Sequence, residues 1–250
     1  MNPAAWQVSQ PEPLTIAKIR AMPKLSLSER LKIFTEEVTV YPVSCEKLAN
    51  GRSDLEWLQA VLAAGARIVQ LRDKESDDRA LFEKALAFRR LTSAAGALFL
   101  VNNRLDLALL SDADGIHLGN RDLPAEEARR LAPELIIGVS ANTPEQAASA
   151  KARGASYFNI GPIYATSTKA GLKDFLGPEA IPTFSALSEL PFTVMGGIKL
   201  PHVPELLSQG AQRLAVVTAL TQAPDIAAET CRWITTITAA RTWTATCYGA

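Results

Sequence analysis

Eight short apolar runs, each separated from the next by a longer polar or amphipathic stretch, most limit what this 250-residue chain can fold into. The runs are 38–43, 67–71, 98–101, 115–118, 135–139, 157–160, 192–195 and 214–217. Several are nearly continuous in Ile, Val and Leu, the pattern of parallel strands covered by helices on their outer face. Helical spacing fills the intervals 54–64, 77–95, 143–153 and 224–238. Start and stop signals frame these helices: Ser53-Asp54 before Leu55, Thr143 with Pro144 in the first turn, and Gly65 and Gly154 as terminators. Eight strands joined by seven crossovers, with no long unstructured break, predict an α/β protein of the (β/α)8 or TIM-barrel type. An open doubly wound sheet is the rival architecture, and the absence of G-x-G-x-x-G after the first strand weighs against it.

This pattern divides the chain into an N-terminal extension (1–36), a barrel (37–240) and a short C-terminal tail (241–250). The first 25 or so residues are punctuated by proline and aperiodic, and Ser26 to Arg30 then opens a short helix. Charge narrows the partners. Lys plus Arg number 26 and Asp plus Glu number 26, so no overall field recruits nucleic acid or an anionic membrane. A locally basic pocket for a phosphorylated small molecule remains compatible with that balance. Cys45, Cys231 and Cys247 have no metal-binding spacing, and His117 and His202 are too few for a zinc cluster. They read as reduced thiols, which with the lack of a secretory or membrane-spanning segment places the chain in the cytoplasm. A Cys231–Cys247 bridge has little support.

In a barrel of this kind the chemistry lies at the C-terminal strand ends, in the loops that follow. Polar residues gather there. They are Gln70-Leu71-Arg72-Asp73-Lys74 after the second strand, Asn102-Asn103-Arg104 after the third and Gly119-Asn120-Arg121-Asp122 after the fourth. Ser140-Ala141-Asn142 follows the fifth, Thr166-Ser167-Thr168-Lys169 comes after the sixth, Gly196-Gly197 after the seventh, and Val217-Thr218 after the eighth. Arg72, Lys74 and Lys169 suit a polyanion such as diphosphate, although solvated surface charge is the commoner fate of such residues. Gly196-Gly197 permits close backbone approach to a phosphate, or forms a plain tight turn. Asp122 suits Mg2+, and equally reads as a helix cap before Leu123-Pro124. His117 reads as a packed, hydrogen-bonded histidine outside catalysis.

Taken in order and spacing, these segments are similar to those of thiamine-phosphate synthases over roughly residues 37–235. The resemblance is carried by Gln70 to Lys74, by Gly115-Ile116-His117-Leu118-Gly119 through Asp122-Leu123-Pro124, and by Ile137-Gly138-Val139-Ser140. Tyr157 through Lys169, Gly196-Gly197-Ile198 and Ala215-Val216-Val217-Thr218-Ala219 complete it. It implies a transferase that joins a pyrimidine carried as its diphosphate to a thiazole phosphate. It further implies that Arg72, Lys74, Asn102 and Lys169 hold the diphosphate, with Gln70 beside them, and that Ser140 lies against the pyrimidine. Thr166 and Thr168 would meet the thiazole, whose phosphate would rest on Gly197, Val217 and Thr218. Arg72, Lys74, Ser140 and Lys169 would then carry the catalytic burden.

Mg2+ would bridge Asp122 and the diphosphate. Where the family has Asn-Asp after the third strand, this chain has Asn102-Asn103, so the second metal position is held by an amide. Asp73 stands for the frequent Glu, and Asn142 for a common His. A related thiazole tautomerase and a non-catalytic thiamine-phosphate-binding barrel are the alternatives; the retained Arg72, Lys74 and Thr-Ser-Thr-Lys run argues against the tautomerase. Assembly into a homo-oligomer stays open at this stage.

Overall fold

A computed structural model describes residues 24–166 and 174–248. Its eight strands are β1 (Val40–Pro42), β2 (Ile68–Leu71), β3 (Leu98–Asn102), β4 (Gly115–Leu118), β5 (Ile136–Ala141), β6 (Tyr157–Ile160), β7 (Phe192–Met195) and β8 (Leu214–Val216). All seven consecutive pairings through β8 and back to β1 are parallel, in the order β1-β8-β7-β6-β5-β4-β3-β2. A parallel bridge between Val43 and Gln70, with Ser44 N–H donating to Gln70 O at 2.9 Å, joins β1 to β2 and closes the ring. The expected barrel is therefore the observed one.

The helices are α1 (Leu27–Glu36), α2 (Asp54–Ala63), α3 (Asp78–Ala95), α4 (Leu105–Leu110), α5 (Ala125–Leu131), α6 (Pro144–Ser149), α7 (Ala180–Ser185), α8 (Val203–Ser208), α9 (Thr218–Thr221) and α10 (Ile226–Tyr248). Their starts follow the local chemistry. Ser26, Ser53 and Thr143 form reciprocal capping boxes with Glu29, Glu56 and Gln146, satisfying N–H groups that the first turn leaves open. Such a cap stabilises a helix by about 1 kcal/mol. Gly65 and Gly154 adopt the left-handed conformation (φ 92° and 81°) in which a terminator must sit.

Two apolar cores result. One lies between strands and helices, where α3 buries Leu81, Ala85 and Phe88 at helical spacing and Phe88 meets Phe99 at 5.7 Å between ring centroids. The other fills the barrel interior with Tyr41, Val43, Ile68, Leu98, Leu100, Ile136, Tyr157, Ala215 and Val217. Helix α1 closes this interior from below. Phe34 is fully buried there and packs on Tyr157 at 4.7 Å. Residues 27–36, read from sequence as part of an extension, thus belong to the packing of the barrel, because an apolar interior needs a lid at its helix-free end. Likewise α10 continues through residue 240, where the sequence suggested a separate tail. Cys45 and Cys231 are free thiols, so the Cys231–Cys247 bridge is not formed.

Buried charge gathers at the same lower end. Asp114 receives Arg89 at 2.8 Å and lies 3.2 Å from Arg30, and its carboxylate also accepts Phe99 N–H. Arg213 donates to the Phe34 and Thr35 carbonyls, the unpaired acceptors at the end of α1. No helix among the described residues is long and apolar enough to cross a membrane.

Candidate active site

Parallel register places Gln70, Asn102, His117, Ser140 and Tyr157 on inward-facing positions of β2 to β6. Their polar atoms form one unbroken chain. Asn102 Nδ2 donates to Gln70 Oε1 at 3.0 Å, and Gln70 Nε2 donates to Tyr41 Oη at 2.8 Å. Tyr41 Oη meets Tyr157 Oη at 3.2 Å, which meets His117 Nδ1 at 3.0 Å. His117 Nε2 reaches Ser140 Oγ at 3.2 Å. The chain begins and ends at half-buried residues, Asn102 and Ser140, and passes through the closed interior between them.

Gly138 makes the central link possible. It pairs with His117 on β4 and with Tyr157 on β6, and a Cβ there would fall 2.1 Å from Cζ of the Tyr157 ring. Without a side chain at 138, the tyrosine ring can lie across β5 and reach the imidazole. Burial pushes the His117 imidazole down to about 4, so it is neutral at pH 7. Burial also pushes the Tyr41 and Tyr157 hydroxyls well above their ordinary value. The floor beneath the mouth therefore consists of neutral dipoles. Asn159 and Thr193 add another buried neutral pair, joined at 2.8 Å.

Charge enters at the rim. Arg72 N–H donates to Ser44 Oγ at 3.1 Å, and its guanidinium donates to Cys45 Sγ at 3.4 Å, which ties the β2 loop to the end of β1. Asp73, between Arg72 and Lys74, does not join them. It accepts from Ser76 and from the Glu75 and Ser76 N–H groups, and pairs with Lys84 of α3 at 2.5 Å. Burial alone would raise the Asp73 carboxyl, but Lys84, Ser76 and the two N–H groups outweigh it and hold it far below the carboxylate range. Lys84 also pairs with Asp54 at 2.9 Å and Glu46 at 2.8 Å. This cluster stakes down the loop that carries the two cations.

Asp122 and Asn103, the two residues expected from sequence at a metal position, lie together. Asn103 Nδ2 donates to Asp122 Oδ1 at 2.8 Å, and Gly119 N–H donates to Asp122 Oδ2 at 2.6 Å. Asp122 is not the cap of α5, whose N-cap is Pro124. Gly196 and Gly197 have φ of 109° and 63°, and a Cβ on either would strike the backbone of the β6 loop at Pro162 or Ala165. The pair thus packs two loops together, in addition to any phosphate it meets. Val217 caps the short α9, which Thr218 begins, and Asn142 is spent on Asn120 and Gly161. Thr166 is half-buried. Thr168 and Lys169 lie outside the described residues.

Sequence reading missed Tyr41, Tyr157 and Lys84. Two tyrosines inside apolar runs look like core aromatics, and only the strand register shows their hydroxyls converging.

Comparison with known proteins gives the family and the fold. The family model described as thiamine monophosphate synthase matches residues 40–220. A thiamine-phosphate synthase of Moorella thermoacetica is 41% identical, the match covering 81% of this chain and 97% of that protein. Its counterpart from Pelotomaculum thermopropionicum is 40% identical, over 77% of this chain and 89% of that protein. Among solved structures, a thiamine phosphate pyrophosphorylase from Pyrococcus furiosus superposes with a TM-score of 0.75 at 30% identity, covering 81% of this chain and 96% of that one. A 3-hexulose-6-phosphate synthase shares the fold alone, at 17% identity and a TM-score of 0.56. The chain belongs to the thiamine monophosphate synthase family.

Proposed function

We propose that this protein is a thiamine-phosphate synthase. It joins 4-amino-2-methylpyrimidine methyl diphosphate to a thiazole ethyl phosphate, giving thiamine phosphate and diphosphate. The C–O bond to diphosphate breaks, the oxygen keeps the electron pair, and the thiazole nitrogen forms the new bond to the methylene carbon. The observation that carries the reading is the division of the mouth into a neutral, hydrogen-bonded floor and a cationic rim. A departing diphosphate needs positive charge in place beforehand, which Arg72 and Lys74 supply from an anchored loop. A methylene cation, by contrast, is best left among neutral groups that exclude water. Neutral His117 and the protonated tyrosines meet that need, and the reaction calls for no general base at the floor.

Ser140 lies against the pyrimidine in this reading, and Asn102 holds the diphosphate with Arg72 and Lys74, Gln70 standing beside them. Thr166 and Thr168 meet the thiazole, with its phosphate on Gly197, Val217 and Thr218; Lys169 adds a third cation to the diphosphate. The roles of Thr168 and Lys169 rest on the sequence resemblance.

Among the described residues, no group of three or more His, Cys, Asp or Glu is placed to hold a metal ion. Asp122 and Asn103 supply one carboxylate and one amide, a donor set that fits Mg2+ when substrate phosphate completes the shell. Bound there, Mg2+ would neutralise charge on the leaving diphosphate. The test is product formation from the two substrates across a Mg2+ titration. Thiamine phosphate appearing with a Mg2+ requirement supports the reading. A folded protein that binds thiazole phosphate yet forms no product at any Mg2+ concentration overturns it.

A further inference from the structure

The chain from Asn102 to Ser140 has a polarity that can be worked out link by link. Gln70 accepts from Asn102 through Oε1, so its Nε2 is the end that faces Tyr41, and Tyr41 Oη accepts. Tyr41 has one proton left to place. Its remaining partner among the described residues is Tyr157 Oη at 3.2 Å, and Tyr41 is almost wholly buried. If Tyr157 donated to Tyr41 instead, the Tyr41 proton would be stranded in an apolar interior with no acceptor, at the full cost of desolvating a hydroxyl. Tyr41 therefore donates to Tyr157, and Tyr157, having accepted, donates to His117 Nδ1 at 3.0 Å. A neutral imidazole accepting at Nδ1 carries its proton on Nε2. That proton goes to Ser140 Oγ at 3.2 Å, leaving the serine's own proton with no acceptor shown among the described residues and directed to the mouth.

We propose that this one-way relay fixes His117 as its Nε2–H tautomer and presents Ser140 to the ligand as a hydrogen-bond donor. Tyr41, Tyr157 and His117 are then positioning residues, and Ser140 selects a ligand with an unprotonated acceptor, such as an aromatic ring nitrogen, at that point. Identifying this acceptor with a pyrimidine nitrogen rests on the synthase reading; the direction of the relay does not. A pyrimidine protonated at the nitrogen facing Ser140 is disfavoured, since two donors would then oppose each other.

Long-range 1H–15N NMR of uniformly labelled protein reads the tautomer directly, and with only His117 and His202 in the chain the assignment takes one His202→Gln variant. The unliganded protein is expected to show His117 protonated at Nε2 and bare at Nδ1. A proton on Nδ1 would mean that both amides are turned and the relay runs backwards, and the proposal would fall. In Tyr157→Phe, which keeps the ring, the bare Nδ1 loses its donor and the two tautomers are expected to mix. KM for the pyrimidine diphosphate should then rise about tenfold, the loss of one oriented hydrogen bond, with KM for the thiazole phosphate unchanged. Equal effects on both substrates, or none on the tautomer, would reduce Tyr157 to packing. Should the protein form no product at all, the synthase reading fails while the wild-type tautomer still decides the relay.

Discussion

The two ends of this barrel are both rich in polar side chains, and they spend them in opposite ways. At the lower end the buried charges are matched inside the protein: Asp114 lies between Arg30 and Arg89, and Arg213 covers the carbonyls that end α1. At the upper end the groups that line the barrel interior are neutral, and the terminal members of their chain, Asn102 and Ser140, are half-buried at the mouth. Pairing that is complete within the chain serves stability. Pairing left open at its ends is available to a ligand. The largest effect should come from breaking the closed end. Asp114→Asn would leave two buried guanidinium groups facing a neutral amide, at a cost of about 3–5 kcal/mol in urea unfolding. Turnover per folded molecule should stay within about twofold of wild type, since a defect below the barrel does not reach the mouth. A matching collapse of turnover in the folded fraction would mean the two ends are not separable.

The reciprocal experiment is Arg72→Gln. Among the described residues its guanidinium is held by a weak contact to Cys45 Sγ, so the unfolding midpoint should barely move. Product formation should fall by about 10²–10³, the usual loss when one preorganised charge-stabilising group is removed. A loss of stability without a loss of rate would move Arg72 into the structural class.

His117 gives an effect that is smaller and visible only on acidification. Burial holds its imidazole at about 4, below the ordinary 6.5, so the unfolded chain takes up this proton first as pH drops. Stability therefore is fully present above pH 6.5 and declines between 6.5 and 4, by up to about 3 kcal/mol for this group alone. Unfolding of the unliganded protein, measured without divalent ions, should show this slope, and His117→Gln should flatten it. An unchanged slope in that variant would assign the acid sensitivity to carboxylates instead.

How much of this could be read from the chain follows from what each signal encodes. All eight runs overlap their strands to within two residues at each end, because β-branched apolar runs bounded by polar residues have few other uses. The shortest relative to its run is β1, confined to Val40–Pro42 inside 38–43. The helix starts at Ser53 and Thr143 were equally plain, although the reciprocal Glu56 and Gln146 contacts were not read. Helices α4, α6, α7 and α8 have six residues each and α9 has four, too short to show a repeat, and most went unseen. Facing was the deeper blind spot. A parallel strand buried on both faces has no polar–apolar alternation, so nothing in the runs tells which side chains enter the barrel. That is why Arg72, Asp122 and Ser140 were legible at loop starts and strand ends while Tyr41 and Tyr157 were not. The Lys84 cluster was hidden for another reason: it joins residues from three segments, Glu46 and Asp54, Asp73, and Lys84 itself, that only the fold brings together.

The finest test of the contrast between closed and open pairing is Asn103, where this chain has put an amide in a position that invites a carboxylate. As it stands, Asn103 Nδ2 satisfies Asp122 Oδ1, so a site that reads as open to a ligand is partly closed on itself. Asn103 occupies the left-handed region at φ 66°, which Asp also tolerates, so Asn103→Asp should leave the backbone in place. Two carboxylates at this spacing repel one another and weaken the unliganded protein, and a divalent cation relieves the repulsion. The variant should melt lower than wild type without Mg2+ and gain more from its addition. In the synthase assay its half-saturating Mg2+ concentration should fall about tenfold, equivalent to about 1.4 kcal/mol of cation binding. If neither the melting shift nor the Mg2+ requirement changes, the Asn103–Asp122 pair is a structural contact of the closed kind, and the cation is held elsewhere.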